Sequence, residues 1–432
     1  MRLGVGLKFL AAYSRARRYD RVTEHSRLVI TQHRWLDELR KDLAGRSAFY
    51  RPYANATWEK WPIVDKSLWM QNFDSINTVG ARLDQVNAIA LQAERTRDFS
   101  LNWGRHTVGM STGTSGNRGV FLVSPEEGGQ WAGTLLGKLL RSGLFARERI
   151  ALVLRAGATL YDAIGALRLQ FKFFDQARPW HEMAEDLRKF DPTILIAPAS
   201  ALRLLSNAAG TMRPRRVISV AEVLDDLDRQ HIERSFAVPV EQIYQATEGL
   251  LGMSCEHGTV HLNEPYLLIE REWLDREQTR FTPIVTDLWR RAQPVVRYRL
   301  NDVLQVKQER CPCGRAALAL AAIEGRSDDV LWLDGARELV PVFPDLLSRA
   351  IVSVLSELED FRVIERSRGD WNLQLRPLPP EEAKARLLEK LAAVVHALGA
   401  SLPSLTVSEL PLSPRVGKQR RVLGMKSHAC ES

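Results

Sequence analysis

The segment Met110–Gly119 (MSTGTSGNRG) combines residue types that suit a phosphate group. Its three glycines and four hydroxyl side chains are Gly113, Gly116, Gly119, Ser111, Thr112, Thr114 and Ser115. Glycines let the backbone approach a ligand closely, and successive amides in such a loop form a concavity that binds anions. A polar surface turn has the same composition, so both interpretations stay open. The Gly-Lys-Ser/Thr ending of the common nucleotide-binding loop is missing, so a nucleotide would need a different binding chemistry.

Cysteines and histidines form a second group that could do chemistry. The element CPCGR supplies Cys311 and Cys313, and SCEHGTVH supplies Cys255, His257 and His261. Three thiolates and one imidazole suit a closed tetrahedral zinc site, with His261 preferred to His257 as the fourth ligand. Because the spacing is C-x-C and not C-x-x-C, free buried thiols are the alternative.

Short apolar runs alternate with helical periodicity upstream of residue 250, which predicts an α/β core. Strands are predicted at 149–157, 193–198, 216–220 and 242–248, and helices at 180–190 and 223–236. After residue 326 the pattern restarts. It predicts strands at 329–333, 361–367, 371–378 and 405–410, with helices near 343–357 and at 381–398. A hairpin is expected at Arg368–Asp370. We therefore predict a large domain over 1–325 and a small α+β domain over 326–432.

Composition limits the possible functions without choosing one. The 432 residues include 60 Lys and Arg against 52 Asp and Glu, for a formal charge of +8. This charge would suit nucleic acid, an anionic membrane surface or a nucleotide, but the basic residues are scattered, as on a solvated surface. No segment has the apolar length of a membrane span, and residues 1–19 indicate an amphipathic helix, not a signal peptide. Four cysteines are too few for a disulfide scaffold, which favours the reducing cytoplasm.

Six segments, in the same order along the chain, resemble the motifs of the adenylate-forming superfamily of acyl-CoA synthetases. They are the phosphate loop 111–119, the adenine and Mg-ATP segments 219–224 and 244–249, the ribose segment 295–304, the hinge 323–331 and the lysine motif LPLSPRVGKQRRV. Within that superfamily the chain is most similar to phenylacetate-CoA ligases and deazaflavin-cofactor adenylating synthetases. WPIVDKSLW (61–69), CPCGR and the compact length carry this closer likeness. The implied fold is a multi-sheet α/β domain followed by a small, mobile α+β domain.

The resemblance implies binding roles for particular residues. The β- and γ-phosphates of ATP would be held by Ser111, Thr112, Gly113, Thr114, Ser115 and Gly116. Ala221 and Glu222 belong to the adenine segment, and Tyr244 offers its ring to the adenine. Asp302 would accept hydrogen bonds from the ribose hydroxyls, with Arg326 nearby.

The implied reaction is ATP-dependent activation of a small carboxylic acid, aromatic by resemblance, with release of pyrophosphate. Thr247 would donate to the α-phosphate, Glu248 would help to hold Mg²⁺, and Lys418 would neutralise charge between the carboxylate and the α-phosphate. A rotation near Asp328 would then exchange Lys418 for a thiol. Coenzyme A is the expected acceptor; a carrier-protein thiol, an amine or release to a partner enzyme stay open, as does a homodimer.

Some positions depart from the superfamily pattern. Gln245 and Asn301 stand where glycine is usual, and Arg118 stands where lysine is common.

Two hypotheses of another class compete with the ligase. One is a basic, zinc-containing protein that binds nucleic acid, and the other is a regulatory nucleotide-binding protein without catalysis. The first leaves the ordered nucleotide motifs unexplained, and the second lies between it and the ligase. We do not expect nucleic acid as a partner.

Overall fold

The computed structural model describes residues 3–111, 118–154, 169–208, 212–336, 339–355, 357–411 and 420–425. The sites predicted at Thr112–Gly116 and at Lys418 lie outside these residues. Among the described helices, none is both long and apolar enough to cross a membrane. The helices are α1 (Leu3–Tyr19), α2 (His25–Arg46), α3 (Lys66–Gln71), α4 (Phe73–Ile76), α5 (Leu83–Thr96), α6 (Pro125–Leu139), α7 (Trp180–Phe190), α8 (Ala199–Ala208), α9 (Asp226–Phe236), α10 (Pro344–Val354) and α11 (Glu381–Ala397).

A twelve-stranded mixed sheet dominates the first three quarters of the chain. Its strands are β4 (Arg149–Leu154), β5 (Gln170–Asp175), β6 (Ile194–Ala197), β7 (Arg216–Val220), β8 (Val240–Ala246), β9 (Gly249–Ser254), β10 (Val260–Leu262), β11 (Leu267–Trp273), β12 (Arg280–Asp287), β13 (Tyr298–Arg299), β14 (Asp302–Val306) and β15 (Ala319–Arg326). The order is β11-β12-β14-β15-β10-β9-β8-β7-β6-β4-β5, with β13 on β12. Strands β5, β4, β6, β7 and β8 pair in parallel, and pairing from β8 to β9 onward is antiparallel. A separate three-stranded sheet joins β1 (Asn102–Trp103), β2 (His106–Met110) and β3 (Val120–Val123).

The predicted parallel strands and the helices between them are confirmed within a few residues. Helix α7 has the predicted bounds, whereas α9 begins at Asp226, three residues after the predicted start. The Asp225 side chain accepts a hydrogen bond from the Asp228 amide and caps α9, so the chain before it is extended. The mixed α/β class is therefore confirmed.

The C-terminal unit, as we call the elements from β16 onward, has its own hydrophobic core. Its strands are β16 (Leu331–Asp334), β17 (Leu339–Val342), β18 (Asp360–Ser367), β19 (Asp370–Arg376), β20 (Ser404–Glu409) and β21 (Val422–Leu423). Strands β18 and β19 form the predicted hairpin, in which Gly369 takes the left-handed conformation that a tight turn requires. The division of the chain at residue 325, and the mobility of the second part, stay predictions.

Helix α1 packs closely on α6, and three glycines of α6 make the contact possible. Gly129, Gly133 and Gly137 follow a four-residue spacing and therefore share one helix face. A methyl group at Gly133 would lie 2.3 Å from the Phe9 carbonyl oxygen. Because other residues of α6 line the large cavity described below, this contact supports one wall of the site.

We expect Gly133→Ala to lower the free energy of unfolding by about 1–3 kcal/mol, because the added methyl group meets rigid backbone. Gly45→Ala is the matched control. It lies in α2 with nothing within 4 Å of the added carbon, so it should raise stability by up to about 1 kcal/mol. Thermal or denaturant unfolding of both variants checks this, and equal effects would contradict the close packing of α1 on α6.

Candidate active site

A cavity of about 1110 Å³ opens at the carboxyl ends of the parallel strands, where ligands bind in open α/β sheets. Segments that follow β7 and β8 line it, together with β14 and the end of β15. It contains every described residue that the sequence assigns to ATP or to catalysis: Ser111, Ala221, Glu222, Tyr244, Thr247, Glu248, Asp302 and Arg326. Their individual roles stay predictions.

The base of the predicted phosphate loop is closed by a pair of hydrogen bonds. The Ser111 amide donates to the Gly119 carbonyl oxygen at 2.7 Å, and the Gly119 amide donates to Ser111 Oγ at 2.8 Å. Arg118, which stands where lysine is common, donates from Nη1 to Glu94 Oε2 at 2.6 Å. The guanidinium is thus engaged with α5 at the edge of the cavity.

Lys66 is a cavity residue that our sequence analysis did not assign to the site. Its Nζ donates to Ser111 Oγ at 3.3 Å, although 45 residues separate the two in sequence. Burial lowers the pKa of Lys66, the negative charge of Glu248 opposes this shift, and Arg326 and Arg118 add to it. WPIVDKSLW carries the lysine, but its spacing alone does not indicate a contact with the phosphate loop. Lys66 therefore supplies a cation next to the predicted phosphate loop, whose own sequence lacks the usual lysine.

Tyr244 and Asp302 are joined by a short hydrogen bond. The Tyr244 hydroxyl donates to Asp302 Oδ2 at 2.6 Å. Burial raises the pKa of Tyr244 strongly, and the negative charge of Asp302 adds to the shift, so the phenol keeps its proton at neutral pH. Asp302 also faces Arg326 across the β14–β15 ladder. The residues predicted for adenine and ribose thus form one unit.

Glu248 is a half-buried residue next to this unit. Burial raises its pKa, while a hydrogen bond from Tyr298 and the charge of Arg290 oppose the shift. Arg290 also donates from Nη1 to the Thr247 carbonyl oxygen at 2.9 Å, which fixes the segment that carries Glu248. Asp287 lines the same cavity, and burial raises its pKa too. Carboxylate oxygens are the ligands that a hard divalent cation prefers, and a bound cation would stabilise the ionised form of either group.

The adenine segment has an unusual backbone. Ala221 takes a φ of +65°, a left-handed conformation that is uncommon for a residue with a side chain. The following Glu222 carboxylate accepts hydrogen bonds from the Ser200 amide at 2.9 Å and from Ser200 Oγ at 3.0 Å. Strain of this kind persists where surrounding contacts fix the chain, and here the hydrogen bonds between Ser200 and Glu222 hold the segment along the cavity wall.

Asn301 connects the ribose strand to the predicted hinge. Its Nδ2 donates to Asp328 Oδ2 at 3.1 Å, and its carbonyl oxygen accepts from the Ser327 amide at 2.7 Å. A glycine could not make the side-chain contact. This departure from the superfamily pattern therefore ties the hinge segment to the cavity.

The four predicted metal ligands converge outside the cavity. The ligand atoms of Cys255, His261, Cys311 and Cys313 lie within 4.8 Å of one another. Cys313 Sγ lies 3.2 Å from His261 Nε2, and Cys255 Sγ lies 3.7 Å from Cys311 Sγ. With Nδ1–H donating to the Ala317 carbonyl oxygen at 2.8 Å, His261 presents Nε2 to the thiols, which is the arrangement typical of zinc-binding histidines. The donor set fits a structural zinc ion, whose presence stays a prediction.

We expect the chain to copurify with about one zinc ion, because three thiolates and an imidazole form a closed site. Cys311→Ser should abolish most of the bound metal and lower the melting temperature by roughly 5 °C or more, since metal binding is coupled to folding. Cys430→Ser is the control. This fourth cysteine is not a predicted ligand, so the change should alter neither the metal content nor the melting temperature. Elemental analysis and thermal unfolding check this. Protein prepared without chelators that contains no zinc would refute the site.

The chain is similar to known proteins in sequence over a short segment and in fold over most of its length. No family model matches the chain. The phenylacetate-coenzyme A ligase of Thermus thermophilus is 28% identical over 86 residues, which is 20% of this chain and 18% of that protein. A 2-hydroxyisobutyryl-CoA ligase structure in the postadenylation state superposes with a TM-score of 0.65 at 16% identity, over 90% of this chain and 88% of that one. An anthranilate CoA ligase in complex with anthranoyl-AMP gives 0.50 at 13% identity, over 76% and 67%.

These similarities define a class of fold. The mixed sheet and the C-terminal unit together match the architecture of adenylate-forming CoA ligases, so the chain has that fold. The sequence match spans less than a fifth of its relative, and the structural matches are distant in sequence. Activity, substrate and acceptor are therefore taken up as proposals.

Proposed function

We propose that the chain activates a carboxylic acid with ATP to an acyl-adenylate, releases pyrophosphate and transfers the acyl group to coenzyme A. The observation that carries this proposal is the convergence of separate motifs on one cavity. Segments around residues 111, 221, 247, 302 and 326 are distant in sequence, yet all line the same space. If each motif were only a polar turn or a solvated charge, nothing would require the motifs to lie together.

The ribose and the phosphates of ATP each have a chemically suitable partner in the cavity. The Asp302 carboxylate, already accepting from Tyr244, has acceptor capacity for the ribose hydroxyls. Ser111 and Lys66 suit the β- and γ-phosphates, since charge-assisted hydrogen bonds to phosphate are the stronger kind. Glu248 would hold Mg²⁺, which supplies charge neutralisation of the phosphates when it is bound.

In the first half-reaction a carboxylate oxygen would attack the α-phosphorus, and the bond to pyrophosphate would break. Negative charge then develops on the phosphoryl oxygens, and preorganised cations stabilise it most effectively in a site that excludes water. Lys66 and Arg326 line the cavity and would supply such cations. Lys418 would approach from the C-terminal unit. In the second half-reaction a thiol would attack the acyl carbon and displace AMP.

The acid is proposed to be aromatic, and coenzyme A the acceptor. Phe121, Trp131, Tyr266 and Trp289 line the cavity and give it a wide apolar and aromatic wall, which suits a flat ring. A carrier-protein thiol or an amine is the alternative acceptor for the same adenylate.

The proposed activity predicts acid-dependent exchange of radiolabelled pyrophosphate into ATP, measured over a panel of aryl and aliphatic acids. Lys418→Ala should lower this exchange by about a thousandfold or more, because it removes a cation from the charged transition state. Thioester formation from supplied acyl-adenylate should fall much less. Saturable ATP binding without exchange for any acid would favour a regulatory nucleotide-binding protein, and salt-sensitive binding of nucleic acid in place of ATP would favour the other class.

Lys66→Ala should lower kcat/KM for ATP by about 10- to 100-fold, the usual worth of a charged hydrogen bond. Lys60→Ala is the control, since Lys60 is an exposed lysine nearby that does not line the cavity. Steady-state kinetics of pyrophosphate release check this. If kcat/KM for ATP is unchanged in Lys66→Ala, Lys66 does not bind the phosphates. The proposed roles of Asp302 and Glu248 would not be affected.

A further inference from the structure

Arg421 lies directly before β21 and forms a buried ionic contact between the C-terminal unit and α9. Its Nη1 and Nη2 donate to Asp228 Oδ2 and Oδ1 at 2.9 and 3.0 Å, and its Nε donates to Asp360 Oδ1 at 2.9 Å. Asp225, the cap of α9, also pairs with it. One guanidinium thus joins a residue of its own unit to two residues beside the large sheet.

A second arginine completes this contact from the other side. Arg203 of α8 donates to Asp228 Oδ1 at 2.7 Å and to the carbonyl oxygen of Glu359 in the C-terminal unit. The side chains of Arg203 and Asp228 are each 7% exposed, and that of Arg421 is 11% exposed. We call the five residues the ionic contact: Arg203, Asp225, Asp228, Asp360 and Arg421.

Burial makes this contact specific for one arrangement of the two units. A charge that has lost water must keep its partners, and removing one partner leaves an uncompensated charge in a poorly solvated place. A partly separated contact would therefore be unfavourable, and the units either form it or move far enough apart to hydrate all five groups. The contact defines one orientation instead of a range.

The ionic contact adjoins, along the chain, a segment that lines the cavity and a residue that binds the predicted hinge. Asp225 follows two residues after Val223, which lines the cavity. Arg420, the preceding residue, donates from Nε to Asp329 Oδ2 at 3.2 Å within the hinge segment. Lys418 stands three positions before Arg421 in the sequence and lies outside the described residues.

We infer that Arg421 is a positioning residue for adenylation: its ion pairs with Asp225 and Asp228 hold the C-terminal unit in the orientation that the first half-reaction needs, and they must break before the second. This inference rests on the proposed function. A purely structural salt bridge would instead support both half-reactions equally, so the two half-reactions distinguish the alternatives.

The test compares Arg421→Gln, Asp225→Asn and the double variant with Arg386→Gln. Asparagine caps helices as well as aspartate does, so Asp225→Asn removes the charge and keeps the cap of α9. Arg386 pairs with Glu382 inside α11, so its variant is the matched control. Each protein is assayed with the acid that supports most pyrophosphate exchange in the wild type. Amide hydrogen exchange is followed at 225–236 and 420–425.

Arg421→Gln should lower ATP–pyrophosphate exchange by about tenfold or more, as a shift away from the adenylating orientation would. Thioester formation from supplied acyl-adenylate should change by less than about twofold. Asp225→Asn should act in the same direction more weakly, and the double variant should be no worse than Arg421→Gln. Amide hydrogen exchange should rise in both segments for these variants and not for Arg386→Gln.

An equal loss in both half-reactions, or no loss in either, would overturn the positioning role. If Arg421→Gln does not fold, Asp225→Asn tests the positioning role, by the ratio of its loss in pyrophosphate exchange to its loss in thioester formation. A wild-type chain without exchange for any acid contradicts the proposed function itself. Wild-type exchange together with an unchanged ratio in the variants contradicts the positioning role alone.

Discussion

The hydrogen bond from the Tyr244 hydroxyl to Asp302 Oδ2 joins two distant parts of the large sheet. Strands β8 and β14 are separated by β9, β10 and β15, which would place them roughly 19 Å apart in a flat sheet. Two side chains cannot span that distance, so the sheet must curve around the cavity. Register shifts at Tyr244/Gln245 and at Val303/Leu304 lie beside this hydrogen bond, and such irregularities bend strands. The shape of the cavity depends on this curvature.

Contacts behind the cavity hold its walls. The close packing of α1 on Gly129, Gly133 and Gly137 fixes α6, whose other residues face the cavity. The Cys and His cluster joins the ends of β9, β10 and β15 that lie away from Glu248 and Arg326. The six residues of β9 lie between Cys255 and Glu248, a separation of roughly 23 Å along an extended strand. A metal there would act on the site through strand geometry and not by direct contact.

The sequence predicted the parts of the fold whose signal is local. Strands β4, β6 and β7 are continuous apolar runs buried on both faces, and Gly369 marks the β18–β19 hairpin. Strands β9 to β15 were not predicted. One of them, β10, pairs with β15, where Val260 faces Leu320, and no local pattern indicates such a distant partner. The ordered motifs identified the cavity residues. Three contacts between residues distant in sequence were not predicted: Lys66 with Ser111, Asn301 with Asp328, and Arg421 with Asp228. Arg421 and Asp228 are 193 residues apart, so no spacing rule would pair them.

The proposed function requires that this cavity bind ATP with its ribose at Asp302 and its phosphates at Ser111 and Lys66. A crystal structure of the chain with Mg²⁺ and a non-hydrolysable ATP analogue tests it most directly. We expect ribose hydroxyls within about 3 Å of the Asp302 carboxylate and phosphate oxygens within about 3 Å of Lys66 Nζ. A nucleotide bound elsewhere, or a cavity that stays empty at saturating analogue, would contradict it.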